Sequence, residues 1–177
     1  MNLSFTTKWS KTMPSHMANN PTLFVPKIIL GLQQQKPQFE PVYQHCLRNY
    51  VFLQRKLKED YKLCVDYPKL HTIRHDTKNR WKAGNRIHFY IYTRTKNQLR
   101  FAPIIKCTAT QKIEIIWTDG DGFKMAQPTV WIDGSWILGD ALNQLAINDG
   151  FNNVEDFFAY FNKDFTGKLI HWTNLKY

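Results

Sequence analysis

The predicted strand at residues 86–94 has the cleanest alternation of apolar and polar side chains in the chain. Ile87, Phe89 and Ile91 fall on one side, which such a pattern assigns to a core. The other side is aromatic and cationic, and it comprises Arg86, His88, Tyr90, Tyr92 and Arg94. Side chains of these types stack on bases and pair with phosphates, but they are also typical of a solvated outer sheet face. The pattern leaves both interpretations open.

Further strands and turns are indicated on both sides of this segment. A short strand is predicted at residues 71–74, followed by a polar loop and a turn at residues 83–85. Downstream strands are predicted at residues 100–107, 110–117, 130–132 and 168–176, the last of them opened by Gly167. The Asp-Gly pairs at residues 119–122 and 133–134 predict hairpin turns.

Helical periodicity is strongest at residues 39–64. Apolar residues recur there at spacings of three and four, namely Val42, Cys46, Tyr50, Leu53, Leu57, Tyr61 and Cys64. The opposite side is basic, and it could extend a nucleic-acid surface or be an ordinary solvated helix face. Shorter helices are predicted at residues 25–30 with Gly31 at the exit, at residues 140–148 capped by Asp140, and at residues 153–162 capped by Asn153. Residues 1–23 are predicted to form an extended or loosely ordered arm, with Trp9 docked on the body.

Length and charge narrow the class of protein. A chain of 177 residues is most simply one domain with a real core. Its formal net charge of +10 is uneven, because residues 1–100 carry 18 of the 24 basic side chains and only 5 of the 14 acidic ones. This polarity suits a protein with one face toward a polyanion. Charge sign alone does not separate nucleic acid from an acidic protein or a membrane surface.

The cysteines and the apolar runs bear on the compartment. Cys46, Cys64 and Cys107 are odd in number and lack metal-ligand spacing, which indicates a reducing interior and not a disulfide scaffold. The N-terminal residues contain no continuous apolar segment of a signal peptide, and no stretch approaches the roughly 20 apolar residues of a membrane span. We therefore expect a cytoplasmic protein without a membrane partner.

The residues between position 69 and the predicted strand at residues 86–94 resemble a known protein family. Residues 69–74 read Lys-Leu-His-Thr-Ile-Arg, and Arg80-Trp81-Lys82 and Gly84 precede a hydrophobic strand. In this order they are similar to the ASCH domain family, with weaker similarity at residues 24–28, 146–151 and 168–172. The resemblance implies an α+β protein with a PUA-like mixed β-barrel and flanking helices. The long helix at residues 39–64 would then be an insertion into that domain, and the ligand would be RNA or a modified nucleoside.

The resemblance also implies a catalytic set. Compact bacterial members of the family hydrolyse the amide of N(4)-acetylcytidine with a lysine and a threonine of this motif and a later acid. Lys69 and Thr72 match the first two directly, whereas Asp149 stands where the acid is usually glutamate and is one methylene shorter. Each residue also has an ordinary structural interpretation. Lys69 could be a solvated loop lysine, Thr72 a residue that favours strands, and Asp149 a turn residue before Gly150. On a regular strand Lys69 would point away from Thr72, so the two meet only if Lys69 lies before the strand begins.

The remaining predictions concern binding. A basic cleft beside residues 69–74 would receive an RNA base or nucleotide, and the side chains expected to bind it are Arg74, Arg80, Lys82, Arg86, Tyr90, Tyr92 and Arg94. His71 and His75 lie on or just after a predicted strand, with no Cys or Asp at the spacing of metal ligands. Neither a metal nor another cofactor is therefore expected. We thus expect an RNA-binding or modified-nucleoside-binding protein. The alternatives are an amidohydrolase and, third, a protein-interaction module that docks through the long helix.

Overall fold

The structure, a computed structural model, describes residues 1–118 and 120–177. Along this part of the chain one strand and two helices precede a run of seven strands, and two further helices precede the last strand. The helices are α1 (Phe24–Gln35), α2 (Glu40–Leu57), α3 (Gly139–Asn148) and α4 (Val154–Tyr160), with a short 3₁₀ turn at Pro37–Phe39. The strands are β1 (Asn2–Phe5), β2 (His71–Arg74), β3 (Arg86–Ile91), β4 (Leu99–Arg100), β5 (Ile105–Lys106), β6 (Ala109–Thr118), β7 (Lys124–Ile132), β8 (Ser135–Ile137) and β9 (Phe165–His171).

The strands pair into two sheets. In the first, β3 pairs in parallel with β1 and antiparallel with both β4 and β5. In the second, the antiparallel order is β2-β9-β6-β7-β8. The α+β class is therefore confirmed, and the closed PUA-like barrel stays a prediction.

The alternation predicted for β3 is confirmed over its first six residues. Ile87, Phe89 and Ile91 are completely buried. The strand then ends earlier than predicted, because Tyr92 has φ 51° and Arg94 has φ 63°, a left-handed conformation that breaks a strand. The prediction that Tyr92 and Arg94 share the outer face of this strand was therefore wrong.

The N-terminal residues form part of the fold, and Asn2–Phe5 are extended, which is one of the two alternatives predicted for residues 1–23. Residues Asn2–Phe5 pair along β3, and Leu3 and Phe5 are buried. The docking of Trp9 is confirmed, since its ring lies 5.2 Å from Phe24 and 5.3 Å from Phe151 between centroids. The hydrogen bonds that hold β1 come from the parallel strand β3, which is distant in sequence, so the local sequence pattern does not predict them.

The first helix is longer than predicted, and Gly31 lies inside it instead of at its exit. The presence of glycine inside the helix is explained by a close approach between α1 and the chain just before β2. A Cβ atom on Gly31 would lie 2.9 Å from the Lys69 carbonyl oxygen and 3.0 Å from Leu70 Cδ2. Glycine is therefore required here by packing, and this contact helps to place Lys69.

The second helix is confirmed but shorter than predicted, because Lys58 adopts a left-handed conformation after Leu57. Its buried side consists of Tyr43, Tyr50 and Gln54. Val42 was placed on the wrong side by the periodicity, since it is 42% exposed. No helix in residues 1–118 or 120–177 combines the length and the apolar character needed to cross a bilayer.

The C-terminal elements largely follow their predicted signals. The cap of α4 is confirmed, since Asn153 Oδ1 accepts a hydrogen bond of 2.8 Å from the Asp156 amide. By contrast, α3 begins one residue before Asp140, and Gly167 lies inside β9. The predicted turn at residues 119–122 includes Asp119, which lies outside the described residues.

Candidate active site

Lys69 lies just before β2, on a segment held between two helices. Its amide donates to the Lys27 carbonyl of α1 at 2.9 Å, and the Leu70 amide donates to the Asn148 carbonyl of α3 at 2.8 Å. Because Lys69 is outside the strand, the alternation of β2 does not turn its side chain away from Thr72. Lys69 thus lies before the strand begins, which is the condition under which it can meet Thr72.

The Lys69 ammonium forms a buried ion pair with Asp149. The distance from Lys69 Nζ to Asp149 Oδ1 is 2.7 Å, and the two side chains are 1% and 6% exposed. The ammonium also donates to the backbone carbonyl of Asp149 and lies 4.8 Å from the centroid of the Phe24 ring. A buried charge pair is stable only when further contacts of this kind satisfy it.

Asp149 is placed by the end of α3 and by the turn that follows. Its Oδ1 accepts a hydrogen bond of 3.2 Å from the Ile73 amide, which links the carboxylate directly to β2. Gly150 has φ 96°, and a Cβ there would lie 2.9 Å from the Phe24 ring and 3.1 Å from Lys69 Cδ. A residue without a side chain is therefore required immediately after the acid.

Burial changes the acid–base properties of this pair. Desolvation, helped by smaller repulsions from Arg74 and Lys27, lowers the pKa of Lys69 to about 8 against the attraction of Asp149. For Asp149 burial alone would raise the pKa, but Lys69 and His71 reverse this and hold the pKa below its usual value. The carboxylate therefore stays ionised near neutral pH, while the lysine can exchange its proton.

Thr72 lines the same small cavity as this ion pair. The cavity has a volume of about 40 Å³, and its walls are Phe5, Thr6, Phe24, Lys69, Thr72, Ile73, Arg74, Asp149, Phe151, Tyr160 and Phe161. Thr72 is only 3% exposed, and no hydrogen bond within residues 1–118 and 120–177 occupies its hydroxyl. The three residues of the predicted catalytic set thus line one small cavity.

A wider cleft lies directly beside this inner cavity. It has a volume of about 420 Å³ and shares Ile73, Arg74, Tyr160 and Phe161 with the inner cavity. Arg74 stands at the boundary, where its Nη2 donates to the Ser4 carbonyl at 2.8 Å and its guanidinium lies 5.0 Å from the Phe5 ring. Its Nε is buried and has no partner among the described residues. Arg74 therefore has an unused donor at the passage between the two spaces.

A layer of buried polar groups lies behind the ion pair. His71 Nδ1 is 3.5 Å from Asp149 Oδ1, and its Nε2 is 2.9 Å from the Tyr177 hydroxyl, which also accepts from Asn148 at 2.9 Å. Burial lowers the pKa of His71, so its imidazole is neutral near pH 7. Burial also lowers the pKa of His171, beside His71, to about 3. These groups support the acid from the side opposite the cavity.

Lys27, His71 and Tyr177 were missed by the sequence reasoning as parts of the site. Lys27 is buried, and its Nζ donates to the Gly150 carbonyl at 2.7 Å, which braces the turn after the acid. The one available signal was an isolated cation within the apolar run at residues 24–32. Tyr177 carries no local signal at all, because it lies far along the chain from its partners.

The residues predicted to bind nucleic acid differ in their exposure and in their contacts. Arg74 lies at the candidate site, Arg80, Lys82, Arg86 and Arg94 are exposed, and Tyr90 is half-buried. The Tyr92 hydroxyl donates to Glu59 at 2.6 Å and accepts from Gln54 at 2.9 Å and Thr7 at 3.2 Å. Trp81 is a core residue. The Tyr92 hydroxyl is occupied by contacts within the protein, and a binding face formed by the exposed cations stays a prediction.

Metal-ligating side chains are scattered, and the described residues contain no cluster of three or more His, Cys, Asp or Glu side chains with ligand geometry. All three cysteines are free. Comparisons with protein-family models, curated proteins and solved structures gave no significant match. The chemistry of this site therefore has to be argued from its own residues.

Proposed function

We propose that this protein hydrolyses an amide on an acylated nucleobase, with Lys69, Thr72 and Asp149 as the reacting set. The observation that carries the proposal is the buried ion pair of 2.7 Å in the cavity that Thr72 also lines. Burying two charges is costly and is poor support for a purely stabilising role. A lysine with a lowered pKa and a threonine hydroxyl that line the same small cavity suit nucleophilic catalysis, in which a base activates a weak nucleophile.

The proposed reaction proceeds in two steps. Neutral Lys69 accepts the Thr72 proton as the hydroxyl oxygen forms a bond to the acyl carbon. The tetrahedral intermediate then collapses, the C–N bond breaks, and Lys69 returns the proton to the leaving amine. Water hydrolyses the resulting ester by the same route in reverse, which releases the carboxylic acid and restores Thr72.

Asp149 and Arg74 have supporting roles in this scheme. Asp149 orients the Lys69 amine through the 2.7 Å contact and stabilises the ammonium that forms during attack. The Arg74 Nε, which has no partner among the described residues, is a donor for the oxyanion that develops on the acyl oxygen. With a pKa of about 8, roughly a tenth of Lys69 is neutral at pH 7.

The substrate class follows from the two adjoining spaces and from the family resemblance. The outer cleft of about 420 Å³ is within the range that binds a small organic ligand, and Tyr160 at its boundary is 48% exposed and can stack on a base. The acyl group would enter the inner cavity while the nucleoside stays outside. N(4)-acetylcytidine, the substrate implied by the resemblance, has this division.

A second function is recognition of RNA or a modified nucleoside without turnover. The observation that favours it is the volume of the inner cavity, about 40 Å³, which is near the space of one water molecule. An acyl group enters only if the walls move apart. If they do not, the outer cleft with Arg74, His75 and Lys163 would bind the ligand and the ion pair would serve the fold.

The experiment that separates the two is incubation with N(4)-acetylcytidine, followed by chromatography of released cytidine. We expect turnover by the unaltered protein and a loss of 10²-fold or more in Lys69→Ala. Thr72→Ser retains a hydroxyl and should keep part of the activity that Thr72→Ala loses. Lys112→Ala, at a surface lysine, is the matched control. Saturable binding without cytidine release would exclude hydrolysis of this substrate and favour recognition.

A further inference from the structure

A second, larger cleft lies away from the candidate active site. It has a volume of about 700 Å³ and lies between the end of α1, the start of α2, the β3–β5 pair and the segment after β9. It shares no lining residue with either the inner cavity or the cleft beside it. A ligand bound here would not touch Lys69, Thr72 or Asp149.

Three cations line this cleft, and the described lining residues include no carboxylate. They are Lys36 at the end of α1, Arg86 on β3 and Lys106 on β5. Arg86 and Lys106 are direct partners across the antiparallel β3–β5 pair. Like charges in this position destabilise a sheet unless an anion offsets their repulsion. Their pairing therefore indicates a site for a negatively charged group.

The same cleft has a broad apolar and aromatic wall. Phe39 is 46% exposed there, and Tyr43, Ile105 and Trp172 continue the surface inward. The Trp172 indole nitrogen is buried without a partner among the described residues. A half-exposed aromatic ring such as Phe39, next to cations, suits a ligand that is flat at one end and anionic at the other.

From this arrangement we infer that the cleft binds a nucleoside phosphate. The base packs against Phe39 and the apolar wall, and the phosphate lies between Arg86 and Lys106. Lys36 is a more distant contact, because the partial negative charge of the last carbonyls of α1 repels a phosphate placed directly at the helix end. The volume suits one nucleotide. That nucleotide is either free or one unit of a single-stranded RNA.

The test measures binding of labelled adenosine 5′-monophosphate by equilibrium dialysis and of a labelled hexa-adenylate RNA by fluorescence anisotropy. The variant Arg86→Gln/Lys106→Gln should weaken binding at least tenfold, since charged contacts to phosphate are lost. The matched control Arg100→Gln/Lys112→Gln removes two exposed charges outside the cleft and should change binding less than twofold. Phe39→Ala tests the apolar wall by the same assays.

Each outcome bears on the inference. Saturable binding of the mononucleotide that depends on Arg86 and Lys106 supports a free nucleotide as ligand. Binding of the hexanucleotide alone with the same dependence supports RNA, and the double variant should then reduce the salt slope by roughly 0.7 per lost phosphate contact. Equal weakening in both double variants, binding of neither probe, or binding of dodecanoate in place of the nucleotides would overturn it. None of these results depends on whether Lys69 and Thr72 hydrolyse an amide.

Discussion

Replacement of Lys69 by methionine tests whether the buried ion pair is as costly to break as its surroundings imply. Methionine keeps most of the length and volume of the lysine stem, so little packing is lost. The Asp149 carboxylate, 6% exposed, would retain the Ile73 amide at 3.2 Å but lose the ammonium at 2.7 Å. A buried charge left in this state costs about 3–5 kcal/mol of unfolding free energy.

Equilibrium unfolding in urea, followed by tryptophan fluorescence at pH 7, measures this loss. With a denaturant slope of about 2 kcal/mol per molar, the midpoint should fall by roughly 2 M. The matched control is Lys112→Met, because Lys112 forms an ion pair of similar length with Glu114, 2.8 Å, but is 57% exposed. That change should cost less than about 1 kcal/mol.

A double variant separates the charge from the packing. In Lys69→Met/Asp149→Asn the uncompensated charge disappears, and the asparagine oxygen can still accept from Ile73. The double variant should therefore be more stable than the sum of the two single losses predicts, by about 0.5–3 kcal/mol. A loss in Lys69→Met no larger than that in Lys112→Met, or strict additivity, would refute the idea that these two charges stabilise each other in a dry site.

Two further predictions concern the same site. If Lys69 is the base, kcat/KM for N(4)-acetylcytidine should rise about tenfold per pH unit below pH 8 and level off above it. The reason is that burial lowers the pKa of Lys69 to about 8 and only the neutral amine accepts a proton. A flat profile between pH 6 and 9 would contradict this role. Gly31→Ala should lower the free energy of unfolding in urea by about 1–3 kcal/mol and reduce turnover, because the new Cβ would lie 2.9 Å from the Lys69 carbonyl oxygen. The control Gln34→Ala, at an exposed position of the same helix, should change neither quantity.

Local patterns in the sequence were sufficient for several elements. The alternation at Ile87, Phe89 and Ile91 predicted a buried strand face, and Asn153 predicted the start of α4. Both signals act within a few residues of backbone, so the chain needs no distant partner to express them. The uneven charge likewise indicated a basic N-terminal half, but not where its cations would meet.

Element ends and side-chain partners depended on tertiary contacts. The left-handed conformations of Tyr92 and Arg94 end β3 before the predicted outer face is complete. Gly31 lies inside α1, where its lack of a side chain allows the close approach to Lys69, a remote segment that no local pattern reveals.

The candidate site divides in the same way. Lys69, Thr72 and Asp149 were nominated from the family resemblance, but only the folded chain places residues 69 and 149 within 2.7 Å and buries them. Lys27, His71 and Tyr177 join them through packing, and Arg86 and Lys106 face each other through strand register. Sequence by itself determined the buried side of β3, the start of α4 and the uneven distribution of charge. Tertiary structure decided which charges are desolvated together, because burial and distance are properties of the assembled core.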